Sequence, residues 1–158
     1  MKAYRFRFES VLKSKKIIVD ELASKTARAQ RILQLEQRKV DSLRKREASC
    51  MQELALKQVG AVKSDEVHRC HRYLQQLGKA IGEQENLISE IARRVDMLRE
   101  MLVEAEKERK IFEKLDEKER EEFLRDFSKK ERAFLDEVGT NRFVLRGAHE
   151  RMHSPPAS

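Results

Sequence analysis

The chain has 158 residues and a formal net charge of +7; 40% of its residues are charged and 39% are hydrophobic. With 5 Gly, 2 Pro and no Trp, this composition is typical of extended helical proteins, in which charge covers a long surface and a narrow apolar stripe is buried. It argues against a globular enzyme, so we expect no catalytic residue, no cofactor, no bound metal and no small-molecule substrate.

The sequence predicts a cytoplasmic protein. No run approaches the roughly 18 consecutive apolar residues of a membrane span, and the opening MKAYRFRFESVL lacks the apolar middle of a signal peptide. Two cysteines, Cys50 and Cys70, are too few for a secreted disulfide framework, which favours a reducing compartment.

The first helix is predicted over about 9–59, after a short lead-in at residues 1–8 that alternates aromatic and basic side chains. Its apolar positions repeat with heptad spacing, which indicates one seam of a coiled coil. The a positions are Leu12, Val19, Thr26, Leu33, Val40 and Leu54, and the d positions are Phe8, Leu22, Ala29, Leu43 and Cys50. Lys15, Glu36 and Glu47 are polar breaks in this seam.

A turn is predicted at about 60–64, because Gly60 can end one helix in the left-handed conformation and Ser64 or Asp65 can cap the next. The second helix, predicted over about 65–138, has a stronger heptad seam with one polar break, Gln84. Its seam is Val67, Cys70, Leu74, Leu77, Ile81, Gln84, Ile88, Ile91, Val95, Leu98, Leu102 and Ala105. Helices joined by so short a turn run antiparallel, which places Cys50 opposite Cys70 in the two seams.

The second helix is predicted to outlast the first. The pairing places Phe8 opposite Asp116, so about 40 Å of the second helix would form a single-helix overhang with no partner from its own chain. Four phenylalanines fall in an arc of about 60° on this part of the helix. They are Phe112, Phe123, Phe127 and Phe134, and they predict a partner-binding stripe.

Gly139-Thr140-Asn141 is predicted to end the second helix, and residues 144–158, which close in Ser-Pro-Pro-Ala-Ser, are predicted to form a disordered tail. The domain prediction is therefore one coiled-coil hairpin over residues 1–143 followed by that tail.

Basic residues are concentrated in the first helix. Up to Ser64 there are 16 Lys and Arg against 7 Asp and Glu, whereas the remainder has 19 against 21. A solvated helix face with a positive bias is the simpler interpretation, and a surface for nucleic acid or another acidic partner is the alternative. The aromatic residues lie mainly on the nearly neutral overhang, which makes nucleic acid unlikely as a partner.

Two groups of residues match metal-binding spacing. His149 to His153 fit H-E-x-x-H, but they lie in a polar tail with no third ligand in prospect. His68, Cys70 and His71 lie near the turn, where Cys70 occupies a seam position typical of a small core residue. We therefore predict no metal site.

The residues also resemble a known family. The opening FRFESVLKSKK, the run SDEVHRCHRYLQQLGKAIGEQE, and the distal KERKIFEKLDEKEREEF and LDEVGTNRF are similar to the FliJ family of flagellar protein-export components. The likeness covers Tyr4 to Phe143. It implies an all-α fold: a long antiparallel two-helix coiled-coil hairpin with a C-terminal single-helix overhang, similar to the stalk of the rotary-ATPase gamma subunit.

The resemblance implies three partners: a hexameric export ATPase, the cytoplasmic part of a membrane export-gate protein, and export chaperones. It also implies peripheral association with the cytoplasmic face of the inner membrane. We expect the ATPase to contact the four-phenylalanine stripe, and the gate to contact a surface near the turn that carries Tyr73, Leu77 and Ala80. Injectisome stalk proteins share this architecture and are the alternative, together with a basic hairpin that binds nucleic acid.

Overall fold

A computed structural model describes residues 3–60 and 63–152, with side chains at 3–60 and 63–146. It contains two helices, α1 (Glu9–Gln58) and α2 (Ser64–Met152). The described residues form two compact units, one within Met1–Lys13 and Lys110–Ser158 and the other from Ser14 to Arg109. The prediction of a single hairpin domain over 1–143 stays a prediction.

In the unit from Ser14 to Arg109, α1 and α2 pack as an antiparallel hairpin, which confirms the predicted all-α fold. Ion pairs across the two helices give the direction, since Lys57 lies 3.6 Å from Glu66 near the turn and Lys15 lies 2.6 Å from Glu108 far from it. Away from the turn, the residue numbers of the paired positions fall on α1 and rise on α2, as they do in antiparallel helices.

The predicted heptad seams form the buried interface. Every seam position on both helices is buried or half-buried, and Val95 is the most enclosed side chain at 1% exposure. Thr26 is the one buried polar residue of α1, and its hydroxyl donates to the Leu22 carbonyl oxygen at 2.7 Å, which satisfies the group within its own helix. The predicted pairing of the cysteines is confirmed, since the Cys50 thiol donates to the Cys70 carbonyl oxygen at 3.9 Å.

The turn differs from the prediction in one respect. None of the described residues has a positive φ, so the left-handed conformation predicted for Gly60 is wrong. Residues 61 and 62 of the predicted turn lie outside the described residues. A backbone hydrogen bond of 3.0 Å from the Glu66 amide to the Lys63 carbonyl forms the first turn of α2.

The predicted end of α2 is wrong as well. The helix continues through Gly139-Thr140-Asn141 to Met152, although the sequence predicts an end near 138 and a disordered tail from 144. A single helical glycine costs only about 1 kcal/mol relative to alanine, which residues that favour helix on both sides can offset. The Thr140 hydroxyl also donates back to the Asp136 carbonyl oxygen. Residues 153–158 of the predicted tail lie outside the described part.

Candidate partner-binding surface

The unit formed by the N-terminal segment and the distal part of α2 is built on aromatic contacts. The Tyr4 ring lies 5.6 Å from Phe123, and the Phe8 ring lies 6.1 Å from Phe112 in an edge-to-face arrangement. Phe6 is buried beside Phe8, at 5.9 Å between ring centroids. Tyr4 and Phe8 therefore lie against α2, with Phe6 packed beside Phe8.

This packing shifts the start of the predicted overhang. The residues that precede α1 contact α2 as far as Phe123, so Phe112 and Phe123 are half-buried by their own chain, and the single-helix overhang that the sequence predicts starts after Phe123. The alternation in Tyr-Arg-Phe-Arg-Phe is a sequence signal for this contact, because aromatic side chains two residues apart can share one side of a segment. The sequence alone predicts only a short lead-in.

Tyr4 is fixed by a hydrogen bond as well as by its ring. Its hydroxyl donates to Asp116 Oδ1 at 2.6 Å and lies 3.1 Å from the Asp116 carbonyl oxygen. Desolvation, followed by the hydrogen bond to the Asp116 carboxylate and the charge of that carboxylate, raises the pKa of Tyr4 to about 12. The protonated phenol is therefore the form that holds the N-terminal segment on α2.

Beyond this contact the apolar stripe is open to solvent. Phe127 stacks on Phe123 at 6.4 Å and is half-buried, whereas Phe134 is 64% exposed. Together these rings border a depression of about 640 Å³. Its lining residues are Phe123, Asp126, Phe127, Lys130, Glu131, Phe134 and Leu135. An exposed apolar surface rimmed by both signs of charge is typical of a partner site.

The structure therefore separates the four predicted phenylalanines. Phe123, Phe127 and Phe134 line one surface, and Phe112 instead packs against Phe8. Leu135, which is 59% exposed, was not predicted as a member of that surface. It lies outside the narrow phenylalanine arc and could be found only once the shape of the depression was known.

The predicted gate surface is also divided. Tyr73 is 42% exposed and Ala80 is half-buried, whereas Leu77 is only 5% exposed and lies in the seam between the helices. Tyr73 borders a groove of about 540 Å³ between α1 and α2. The other lining residues are Ser42, Lys45, Arg46, Ser49, Cys50, Glu53, Arg69 and Cys70.

The described side chains contain no cluster of three or more His, Cys, Asp or Glu that could hold a metal ion. His68 and His71 are exposed and Cys70 is half-buried. The side chains of the H-E-x-x-H stretch, 149–153, lie outside the described part. In residues 3–60 and 63–152, no helix is both long enough and apolar enough to cross a membrane.

Comparisons with known proteins give one family and one fold. The family model described as "Flagellar FliJ protein" matches residues 4–148. A solved structure described as a YscO homolog, from Chlamydia trachomatis, aligns with a TM-score of 0.53 at 22% identity and covers 96% of this chain and 100% of its own. That likeness shows the fold alone. A search of curated proteins found no match.

Proposed function

Because this chain belongs to the FliJ family of flagellar proteins, we propose that it is a non-enzymatic, stalk-like component of the flagellar type III protein-export apparatus. In this role it engages the hexameric export ATPase, links the ATPase to the membrane export gate, and assists export chaperones with their cargo. It works in the cytoplasm, in peripheral association with the inner face of the inner membrane.

The observation that carries the ATPase contact is the open aromatic depression on α2. Phe127 and Phe134 present their rings to solvent after the N-terminal segment has ended its ring contacts at Phe123. Exposed aromatic rings of this kind are the usual anchors of a protein interface. The rings therefore favour a protein partner that supplies an apolar surface.

The geometry of α2 favours the inside of a ring of subunits as that partner surface. A single helix is about 10–12 Å across with its side chains, so it can enter an opening that a globular domain could not. The flanking charges of both signs, such as Asp126, Lys130 and Glu131, can meet several subunits weakly without fixing the helix to one of them.

The proposed contact with the export gate rests on the exposed face near the turn. Tyr73 and Ala80 are accessible there, whereas Leu77 supports the contact from within the helix interface. A flagellar role is preferred to an injectisome role because the matching family is the flagellar one, and the likeness to the YscO homolog extends to the fold only.

The test changes Phe127 and Phe134 together to Ala and measures ATP hydrolysis by the purified export ATPase at increasing amounts of the protein. Ile111→Ala is the matched control, because Ile111 is 64% exposed, as Phe134 is, but lies on another side of α2. We expect the double variant to stay folded and monomeric and to lose stimulation, since anchors of this kind commonly contribute about 2 kcal/mol or more each.

Stimulation that survives the double change would contradict the proposed ATPase contact. So would a wild-type protein that sedimentation shows to be a stable dimer and that the double change dissociates, because the aromatic surface would then serve self-association.

A further inference from the structure

One side of α1 carries an excess of positive charge that ion pairs in its own unit leave largely unneutralised. The seam occupies the a and d positions, and the c, f and g positions span a continuous arc of about 100° that starts beside the seam at g and reaches the opposite side of the helix at f. Between Ile17 and Arg46 these positions hold seven cations and one carboxylate, Glu21. The cations are Lys25, Arg28, Arg31, Arg38, Lys39, Lys45 and Arg46. We call this surface the basic face of α1.

The charges on this face are available to a partner. All seven cations are exposed. Among the described residues, Lys39 is the member that forms an ion pair, with Glu36 at 2.7 Å. No carboxylate of the described residues lies within 4 Å of the other six. The face therefore has a formal net charge of +6, of which the ion pair of Lys39 with Glu36 offsets one unit.

Aliphatic side chains lie among these cations. Ile17 is 58% exposed, Ile32 is 50% exposed and Leu35 is 53% exposed, and Ile18 lies beside them at 41%. All four occupy c, f or g positions, so they share the surface of the cations and are not part of the seam. Clustered Lys and Arg attract anionic lipid headgroups, and exposed aliphatic side chains beside them add apolar area that can enter the boundary between headgroups and acyl chains.

We propose that the basic face of α1 binds an anionic phospholipid surface directly. The guanidinium and ammonium groups contact the phosphates of the headgroups, and the four aliphatic side chains enter the boundary between headgroups and acyl chains. Nucleic acid would satisfy the cations equally well, but a duplex presents mainly phosphates to a helix surface and offers little apolar area to the isoleucines and the leucine. The face also lacks the aromatic side chains that stack on single-stranded bases. This inference rests on the proposed membrane association and deepens it, since it assigns the contact to named residues of α1 and requires neither the gate nor the ATPase.

The experiment is co-sedimentation of the purified full-length chain with vesicles, either of phosphatidylcholine alone or of phosphatidylcholine with phosphatidylglycerol. We expect binding to the vesicles that contain phosphatidylglycerol and a decrease as salt is raised. The variant Arg28→Glu, Arg31→Glu and Arg38→Glu should bind on the order of a hundredfold more weakly, given the contribution of each basic residue near an anionic surface.

Two further variants separate this proposal from a general effect of charge. Arg72→Glu, Arg93→Glu and Arg94→Glu change the net charge equally on exposed positions of α2, and this control should keep most of the binding. Ile32→Ser with Leu35→Ser leaves the charge unchanged and should still weaken binding severalfold. Circular dichroism on each variant establishes that the helices are intact.

Equal binding to both kinds of vesicle would overturn the proposal, and so would an equal loss in the α2 control. A third outcome would also overturn the proposal. If the Ile32 and Leu35 changes have no effect on vesicle binding, and duplex DNA binds more tightly than the vesicles at the same salt, the face serves nucleic acid. The vesicles contain no other protein, so these outcomes leave the proposed ATPase contact unaffected.

Discussion

Gln84 of α2 donates a hydrogen bond from Nε2 to Glu36 Oε2 of α1, so one of the three polar breaks in the α1 seam meets the polar break in the α2 seam. Glu36 also accepts from Lys39 at 2.7 Å. A polar pair at one level of an apolar seam fixes the register of two helices, because any slip would leave both groups facing apolar side chains.

The first prediction concerns the pH dependence of this pair. Hydrogen bonds from Lys39 first and Gln84 second hold the pKa of Glu36 below its ordinary value of 4.5. A depressed folded-state pKa means that the stabilisation is present above 4.5 and is lost as pH falls through the lower folded value. In thermal melts, the melting temperature of the wild type should therefore fall more over this acidic range than the melting temperature of the Glu36→Gln variant. Parallel losses in the two proteins would contradict the assignment.

The second prediction concerns the contact of Tyr4 with α2. In a Tyr73→Phe background, Tyr4 is the one remaining tyrosine. The absorbance of its phenolate should then titrate with a midpoint at a pH of about 12. A raised pKa means that the stabilisation is present below the ordinary value of 10.0 and disappears as pH rises through about 12. Asp116→Asn should lower the midpoint, since it removes the carboxylate charge. An unchanged midpoint would show that the two groups do not meet in solution.

The third prediction separates the interior of the helix pair from its surface. Leu77→Ala should lower the free energy of unfolding by about 2–4 kcal/mol, because the side chain is almost fully enclosed and leaves a cavity. Tyr73→Ala should change it by only about 0.5 kcal/mol. Tyr73→Ala should nevertheless weaken binding to the cytoplasmic part of the gate in a pull-down. Equal losses of stability in the two variants would place Tyr73 in the core.

The fourth prediction compares the two cysteines. Cys50 is 7% exposed, and burial is the first cause that raises the pKa of its thiol, followed by the charge of Cys70. Burial, which persists when Cys70 is replaced, reduces both the access to Cys50 and the thiolate that reacts with electrophiles. A thiol reagent should therefore label the Cys70→Ala variant, which retains Cys50, more slowly than the Cys50→Ala variant. Unfolding in denaturant should abolish the difference, and a faster reaction at Cys50 in the folded protein would contradict this prediction.

The heptad seams could be predicted because the spacing of apolar residues directly reports which side of a helix is buried. Val95 and Leu77 were found in this way, and so was the level at which Cys50 meets Cys70. The pattern identified Glu36 and Gln84 as interruptions. It did not show that they bond to each other, because that depends on an exact register and on rotamers.

The N-terminal contact and the end of α2 depended on effects that spacing does not encode. Tyr4 meets Asp116, 112 positions away, so no local window contains the pair. Gly139 resembles a helix end by composition, but it is tolerated within α2 because its cost is small. Leu135 lines the aromatic depression because of the shape of the surface. The side chains of this depression do not all lie on one heptad arc, so spacing alone does not group them.

The proposed contact between the aromatic depression and the export ATPase is tested most directly by photo-crosslinking. One protein carries a photo-reactive phenylalanine analogue at Phe134 and a second carries it at Ile111. Each is irradiated with the assembled export ATPase. The two positions are equally exposed on different sides of α2, so the comparison isolates the aromatic depression. We expect a covalent adduct with the ATPase subunit from position 134 and little or none from 111. Equal adducts from both positions, or an adduct from 134 only with a second copy of this chain, would contradict the proposed contact.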